Sequence, residues 1–508
     1  MPQEILSTNN RRIAKNTLFL YIRTLVTLCI TLYTSRVVLR ALGVDDYGIY
    51  TAVGGFVSMF SLLSGALSNA ISRFITFELG RNSITRLKEV FSTAITIQFL
   101  LALGVVIIAE LFGVWFLNVK MTVPVGRMTA ANWVFQCSVL TFAIRLISVP
   151  YNACIIAHER MTAFAYISIL EAVLKLLSVM VLFIIGFDRL IVYAILLVSL
   201  AFLIRFIYAH YCSRHFEECH FHFSFNKSLI VEMASLAGWN MLGTSGNVLN
   251  NHGVNLLMNI FAGVRVNAAR GLANQVNSAV TQFVNSFTTA VNPQITKSYA
   301  RGEHDYMFKL VMLSCKYSYF LMLILAMPII IQAPFILKVW LKTVPDFTVL
   351  FVRLTLITSL ITTLSTPLYT LAIATGDIKK YQIVVGSLSL SCFVFTYLCY
   401  RLGMPVESAY YVSIIIQIVI LIARLIILSD LTGLDKSSFF NNVILRVLIV
   451  STLVVVIALF GHHLFTSDSI IQNCIAIIFY VLITISNVLL FGLNSRERKQ
   501  LLLLIRRH

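Results

Sequence analysis

Residues 239–294 read WNMLGTSGNVLNNHGVNLLMNIFAGVRVNAARGLANQVNSAVTQFVNSFTTAVNPQ, an apolar stretch that carries polar side chains at helical spacing. Steps of three and four residues return a side chain to the same face of an α-helix. The stretch therefore predicts two consecutive helices, each with a polar stripe. The stripes are Asn240, Thr244, Asn247, Asn251, Asn255 and Asn259, then Arg270, Asn274, Asn277, Thr281, Asn285, Thr288 and Asn292.

These stripes need a polar environment, because lipid cannot satisfy a row of amides. Each stripe must face another helix or a water-filled cavity. Asn is bulky for a packing seam, where Gly, Ala and Ser are preferred. We therefore favour a hydrated cavity over interhelical hydrogen bonding, which remains the alternative. The predicted cavity-lining residues are Asn240, Asn247, Asn251, Asn255, Asn274, Asn277, Asn285 and Asn292.

The composition of the whole chain is that of an integral membrane protein. Of its 508 residues, 58% are hydrophobic and 12% are charged, with a mean hydropathy of +0.87. Soluble domains carry roughly 25% charged residues. Apolar runs long enough to cross a bilayer recur about fourteen times. The predicted spans are 15–42, 49–77, 89–117, 131–157, 163–186, 190–211, 229–262, 267–298, 308–337, 348–374, 381–401, 407–429, 439–465 and 469–493.

The distribution of Lys and Arg predicts the orientation in the membrane. Arg11, Arg12 and Lys15 precede an apolar run that is too long for a signal peptide, so the first helix is expected to remain in the protein. Alternate connections and the tail are richer in basic residues than the others, which places both termini in the cytoplasm. Much of the net charge of +18 is thus topological, and nucleic-acid binding is not expected.

The chain also contains an internal repeat. The block Pro150–Ala157 closes one apolar span, and the similar block Pro367–Ala374 closes another 217 positions later. An offset of six helices keeps both copies in the same orientation, so a pseudo-two-fold axis along the membrane normal is expected. We predict two six-helix lobes at 1–211 and 229–430, a cytoplasmic inter-lobe loop at 212–228, and two further helices with a basic cytoplasmic tail at 431–508.

Charged residues inside the predicted spans are few and mostly basic, and each is expensive at mid-bilayer. Glu171 and Lys175 are four residues apart and can pair on one helical face. Arg23, Arg145 and Lys316 lie deep in spans without an obvious acidic partner. A cavity with surplus positive charge suits an anionic substrate such as a diphosphate, which Arg binds through paired hydrogen bonds. The candidate diphosphate-binding residues are Arg23, Arg36, Arg145, Lys175, Arg270 and Lys316.

Cysteine and histidine are concentrated in the predicted cytoplasmic loop, at His210, Cys212, His215, Cys219, His220 and His222. Such residues can ligate zinc, but the spacing of the two cysteines matches no standard zinc pattern. The interleaved Phe residues favour a short amphipathic hairpin on the bilayer surface. We therefore predict no metal site and no cofactor.

Several segments resemble the bacterial polysaccharide flippases. They are Arg12–Leu18, Tyr33–Arg36, Leu42–Tyr50 with its Leu-Gly-x-x-x-Tyr-Gly turn, Phe74–Gly80 and Ala237–Asn240. These flippases belong to the multidrug/oligosaccharidyl-lipid/polysaccharide exporter superfamily, with the multidrug and toxin extruders (MATE) and the lipid II flippases.

The resemblance implies an all-α, MATE-like, V-shaped fold of two lobes that opens alternately to each side of the inner membrane. It implies a substrate of undecaprenyl-diphosphate-linked oligosaccharide, as in O-antigen and lipopolysaccharide biosynthesis, and partners limited to this substrate, membrane lipids and coupling protons or Na⁺. We expect a monomer.

Two other functions are weaker alternatives. A MATE-type drug/cation antiporter needs an unpaired acid in a lobe cavity, for which Glu110 and Glu171 are the candidates. A membrane glycosyltransferase or polymerase needs catalytic groups on a large outward loop, whereas the outward connections here are short. No Walker A sequence occurs in the chain. The sequence therefore favours a transporter over an enzyme.

Overall fold

The computed structural model describes residues 3–58, 60–119, 126–219, 226–262, 264–341, 344–462, 469–494 and 497–498. Within these ranges the chain is almost entirely helical and contains no β-strand. Ten helices in these ranges are long and apolar enough to cross a membrane. Of the remaining four predicted spans, 15–42, 229–262 and 267–298 lie on helices. The span 49–77 is divided between the helices Gln3–Ser58 and Ser61–Arg81, and residue 59 lies outside the described residues. The prediction of an all-α, multi-pass membrane protein is confirmed.

The helices group into two compact units, Arg12–Met241 and Leu242–His508 with Met1–Arg11, here called the first and second units. The first unit contains α1 Gln3–Ser58 from Arg12 onward, α2 Ser61–Arg81, α3 Ile84–Ile108, α4 Val114–Val119, α5 Met128–Ala157, α6 Met161–Val181 and α7 Arg189–His215. Helix α8, Lys227–Ala262, crosses the boundary. The second unit continues with α9 Val264–Ala300, α10 His304–Ile331, α11 Ala333–Leu341, α12 Thr348–Thr375, α13 Lys379–Arg401, α14 Ser408–Thr432, α15 Lys436–Phe439, α16 Leu445–His462 and α17 Ile470–Asn487.

A break at Gly43 divides α1. Gly43 has φ +80° and ψ 174°, which is not helical. Positive φ is accessible to Gly because it has no β-carbon, whereas other residues pay a steric cost there. The glycine of the Leu-Gly-x-x-x-Tyr-Gly turn therefore separates the predicted first span from the helical segment that leads into the second.

The two units share one packing scheme. In the first unit α5 packs against α2, α3 and α7, and in the second α12 packs against α9, α10 and α14. The pairs α2/α3 and α6/α7 recur in the same way as α9/α10 and α13/α14. Both central helices contain a proline, at Pro150 and Pro367, that removes one backbone hydrogen bond. The sequence repeat thus corresponds to a repeated helical arrangement within each unit.

The corresponding helices α7 and α14 differ in whether a side chain caps their first turn. Asp188 accepts hydrogen bonds from the amides of Leu190 (3.0 Å) and Ile191 (3.3 Å) and so caps α7. Arg127 binds the same carboxylate at 2.5 Å and also binds Asp46. Burial alone would raise the pKa of Asp188, but the hydrogen bonds from Arg127 and from the two amides lower the pKa below its ordinary value. At the start of α14 the residue in the capping position, Glu407, makes no such bond.

Helices α8 and α13 approach closely at two glycines of α8. A β-carbon at Gly246 would lie 2.8 Å from the carbonyl oxygen of Gly386, and one at Gly253 would lie 2.7 Å from the ring of Phe393. These distances are shorter than van der Waals contact, so the seam requires glycine. Asn255 lies two residues after Gly253, about 200° around the helix. Its side chain therefore leaves α8 away from this seam.

Candidate functional site

A charged cavity of about 220 Å³ lies inside the first unit, among residues of α1, α5, α6 and α7. Arg145 of α5 and Glu171 of α6 form an ion pair across it, with 3.2 Å between nitrogen and oxygen. Lys175 lines the same cavity one turn further along α6. Tyr50, Ser138 and Thr141 add hydroxyl groups to the wall. We call this space the charged cavity.

The helices explain why these side chains meet. Arg145 lies near the middle of the membrane-spanning helix Met128–Ala157, and Glu171 lies near the middle of Met161–Val181. Glu171 and Lys175 share a helical face because they are four residues apart. Among the described residues, however, Glu171 pairs with Arg145 and not with Lys175. The predicted pair of Glu171 with Lys175 was therefore wrong, as was the absence of an acidic partner for Arg145.

The charged cavity keeps a surplus of positive charge. Its charged lining residues are Arg145, Lys175 and Glu171, which sum to +1 when all are ionised. The Arg145 side chain remains 64% exposed although it is paired. A guanidinium has five donors in a fixed fork, and one carboxylate does not use them all. The exposed side of Arg145 can therefore bind an anion.

Two neighbouring features extend this region. A smaller cavity of about 70 Å³ shares Tyr50 and Lys175 with the charged cavity. Arg23 of α1 lies with its guanidinium 4.5 Å from the centre of the Phe164 ring on α6. Its charge interacts electrostatically with Glu171. Arg23 thus belongs to the same unit and the same electrostatic environment, but it does not line either cavity.

The remaining candidate cations lie elsewhere. Lys316 of α10 is 2% exposed and donates to both carboxylate oxygens of Glu497, at 2.8 and 2.7 Å. Its predicted lack of an acidic partner was wrong, because Glu497 is 181 residues away and its contact is not visible in the local sequence. Arg270 is buried near the start of α9, 5.8 Å from the Tyr410 ring centre. The side chain of Arg36 lies outside the described residues.

The asparagines that were predicted to line a cavity differ in their burial and in their hydrogen bonds. Asn292 accepts a hydrogen bond from Thr370 of α12 at 3.0 Å, so at this position the alternative of interhelical bonding applies. The side-chain oxygens of Asn255 and Asn277 are buried and accept no hydrogen bond within the described part of the chain. Asn240 is buried, Asn274 is partly buried and Asn285 is exposed; the side chains of Asn247 and Asn251 lie outside the described residues.

A basic cavity of about 740 Å³, which sequence reasoning missed, lies at the end of α2. Its charged lining residues are Arg73, Arg81, Arg86, Glu78 and Glu232. The guanidiniums of Arg73 and Arg81 lie 4.4 and 4.5 Å from the centre of the Phe77 ring. The positive-inside pattern predicts this end to be cytoplasmic. The sequence contains these arginines, but it does not show that two of them pack against the same aromatic ring.

Three cysteines meet at the adjoining ends of α5 and α7. The Sγ atoms of Cys154 and Cys219 lie within 4.8 Å of each other, and Cys212 interacts electrostatically with Cys219. Cys154 was not in the Cys and His cluster that the sequence analysis weighed against zinc, because it is 58 residues before Cys212 in the sequence. The predicted members His210 and His215 instead stack on Phe206 and Tyr211. His220 and His222 lie outside the described residues.

Comparisons with known proteins agree with this architecture. A family model described as polysaccharide biosynthesis protein matches residues 13–299. No curated protein sequence matches the chain. The crystal structure of a MATE protein in a bent conformation is similar with a TM-score of 0.73 at 12% identity, covering 85% of this chain and 98% of that one. A MOP superfamily transporter from Pyrococcus furiosus, described as having a binding pocket of reversed polarity, has a TM-score of 0.69 at 11% identity, covering 81% and 94%. Identities this low show the fold alone, and the fold is MATE-like.

Proposed function

This chain belongs to the polysaccharide biosynthesis protein family, and on that premise we propose that it is a lipid-linked oligosaccharide flippase. Its substrate would be an undecaprenyl-diphosphate-linked repeat unit, moved from the inner to the outer leaflet of a bacterial inner membrane. The mechanism would be alternating access, with both termini in the cytoplasm. The chain would act as a transporter, with protons or Na⁺ as coupling partners.

The charged cavity is the observation that carries this proposal. A diphosphate cannot enter hydrocarbon unaided, because it would lose its hydration without compensation. Arg145 and Lys175 place cationic donors in the middle of membrane-spanning helices, beside a cavity that water-sized groups can enter. Hydrogen bonds from a guanidinium to a phosphate are charge-assisted and frequently bidentate. The site therefore offers cationic donors of the kind that bind a diphosphate, with a net charge of +1 when all three groups are ionised.

The polar side chains suit the sugar part of the substrate. Ser138 and Thr141 in the charged cavity offer hydroxyl groups. Hydroxyls both donate and accept, so they can replace water around many different sugar hydroxyls. Such a lining fits a glycan without selecting one sugar.

The drug/cation antiporter is less well supported. It needs an acid that can exchange a proton for a cation, but Glu171 is paired with Arg145 at 3.2 Å. Glu110 accepts a hydrogen bond from Gln136 at 3.1 Å, and both residues are exposed. The Glu171→Gln variant separates the two functions. Glycan export should survive this change because Arg145 keeps its charge, whereas an antiporter that used Glu171 would lose its activity.

The proposal is tested by locating the substrate in cells. Deleting the gene should trap the lipid-linked saccharide on the cytoplasmic leaflet, and the wild-type gene should restore its export. Arg145→Ala should fail to restore export at normal protein level, while Arg160→Ala, an exposed arginine outside the charged cavity, should restore it. Export that is unaffected by the deletion, or fully restored by Arg145→Ala, would contradict the proposal.

A further inference from the structure

The cysteine cluster of the first unit has the composition of a metal site. Its members are Cys154 near the end of α5, Cys212 near the end of α7, and Glu218 and Cys219 in the short turn Glu217–Cys219. One ligand atom from each of Cys154, Glu218 and Cys219 lies within 4.8 Å of the other two. Cys212 interacts electrostatically with Cys219, and its thiol donates to the carbonyl oxygen of Tyr151 at 3.5 Å. Three segments therefore bring three thiols and one carboxylate into one buried region.

The cluster is shielded from solvent. Cys154 and Cys212 are fully buried, and Cys219 and Glu218 are 4% and 3% exposed. A buried carboxylate is costly unless it is paired or coordinates a metal. The Glu218 carboxylate has one protein partner in the described part of the chain, the Nε2 atom of His158 at 2.5 Å. His158 stacks on Phe216, with 4.1 Å between ring centres, which fixes its imidazole against the turn.

We propose that Cys154, Cys212, Cys219 and Glu218 bind one Zn²⁺ ion. Zinc prefers four ligands in a tetrahedron, and structural sites are built largely from Cys. With zinc–sulfur bonds of 2.3 Å, neighbouring ligand atoms are about 3.8 Å apart, so the separations among Cys154, Glu218 and Cys219 need to shorten by at most about 1 Å. Cys212 lies outside that 4.8 Å group and would have to turn its thiol towards the ion to become the fourth ligand. His158 orients the carboxylate ligand from behind, as second-sphere partners of metal ligands do.

The second unit shows that packing does not require these thiols. At the offset of 217 positions Cys154 corresponds to Leu371 and Cys212 to Ser429. Leu371 is fully buried, so the repeated arrangement accepts an ordinary aliphatic side chain at this place. The thiols of the first unit are thus not a consequence of the fold. A zinc ion would join the adjacent ends of α5 and α7 to the turn that follows α7.

The metal content of the purified full-length protein tests the proposal. Protein purified in detergent, without added metal or chelator, should contain about one zinc ion per chain by mass spectrometry. Cys219→Ser should lose the ion. Cys315→Ser is the matched control, because Cys315 is fully buried in the second unit and has no place in the cluster. It should keep the ion.

A second measurement does not depend on any variant folding. The wild-type protein, stripped with a chelator and titrated with Co²⁺, should develop the near-ultraviolet charge-transfer absorption of cobalt–thiolate bonds, and Zn²⁺ should abolish it. Metal-free protein that shows no such absorption would overturn the proposal. So would a disulfide within the cluster in protein kept under reducing conditions, or equal zinc content in Cys219→Ser and wild type.

Discussion

The two units use the same helical arrangement but differ in which of their corresponding positions carry charged side chains. The first unit carries Arg145, Glu171 and Lys175 around the charged cavity. At the offset of 217 the second unit has Thr362, Leu388 and Cys392. Because one copy of the arrangement folds without these charges, the fold does not need them. On the function proposed above, the charges of the first unit serve the substrate rather than the fold.

Three cations of the second unit join segments of that unit. Lys316 pairs with Glu497, Arg353 donates to the Ile330 carbonyl at 2.9 Å, and Arg424 donates to Ser365. Each guanidinium or amine has its main partner inside the unit. Two groups of cations can thus be compared: Arg145 and Lys175, which line the charged cavity, and Lys316, Arg353 and Arg424, whose bonds join segments of the second unit.

The largest expected effect is on the stability of the protein and concerns Lys316, one of the cations that join segments of the second unit. Lys316→Met should lower the free energy of unfolding by about 3–5 kcal/mol, because it leaves the Glu497 carboxylate buried without its partner. Thermal unfolding of the full chain in detergent measures this. Arg145→Met, at a side chain that is 64% exposed, should shift the midpoint far less. Replacing Glu497 by Gln together with Lys316→Met should recover most of the loss, and a midpoint unchanged by Lys316→Met would contradict the structural role.

The next largest effect is on transport and concerns Arg145 in the charged cavity. Arg145→Ala should reduce the rate of glycan export about 10- to 100-fold, because a hydrogen bond to a charged group is worth about 1.5–3 kcal/mol. Thr362→Ala, at the corresponding place in the second unit, should leave the rate unchanged. Export normalised to protein level gives the comparison. Equal losses in both variants would show that the two units share the binding function.

A smaller effect concerns close packing. Gly246→Ala should destabilise the second unit by about 1–3 kcal/mol, because the new β-carbon overlaps the Gly386 carbonyl. Gly104→Ala in α3 of the first unit is the control, since nothing lies within 4 Å of a β-carbon there. It should stabilise the helix by about 0.5–1 kcal/mol. Unfolding midpoints that move in the same direction would argue against the α8–α13 seam.

The smallest effect compares the two helix starts. Asp188→Ala should cost about 1 kcal/mol through loss of the cap of α7, whereas Glu407→Ala at α14 should cost less. The pKa of Asp188 is lowered in the folded chain, so its contribution is complete above the unfolded value of about 3.9 and is lost as the pH falls through the folded pKa. Unfolding midpoints of wild type and Asp188→Ala should therefore lie furthest apart near pH 7 and draw closer as the pH falls below the unfolded pKa of about 3.9.

Features encoded locally were predictable from the sequence. The helical fold, the glycine turn at Gly43 and the repeat of the Pro150 and Pro367 blocks follow from composition and spacing, which act over a few residues. Contacts between helices were not predictable in this way. The pairing of Arg145 with Glu171 and that of Lys316 with Glu497 depend on how each helix is rotated about its axis, and hydrophobic periodicity does not determine that rotation when helices are apolar all round.

The same limit applies to the asparagines and cysteines. The stripe containing Asn292 was correctly placed on a helix, but only the packing of α9 on α12 shows that Thr370 meets this side chain. Cys154 joins Cys212 and Cys219 because α5 and α7 end side by side. A prediction that searched for ligands near the ends of adjacent helices, rather than within one loop, would have included it.

The ion pair of Lys316 with Glu497 has a consequence for how such a chain can be shortened. Removing α16, α17 and the residues after them would leave a buried ammonium in α10 with no counter-ion. A shorter twelve-helix descendant would first have to replace Lys316, and that replacement alone is harmful while Glu497 is present. Losing the terminal helices before Lys316 is replaced is harmful, and so is replacing Lys316 before the terminal helices are lost. This favours retention of the terminal helices over many generations.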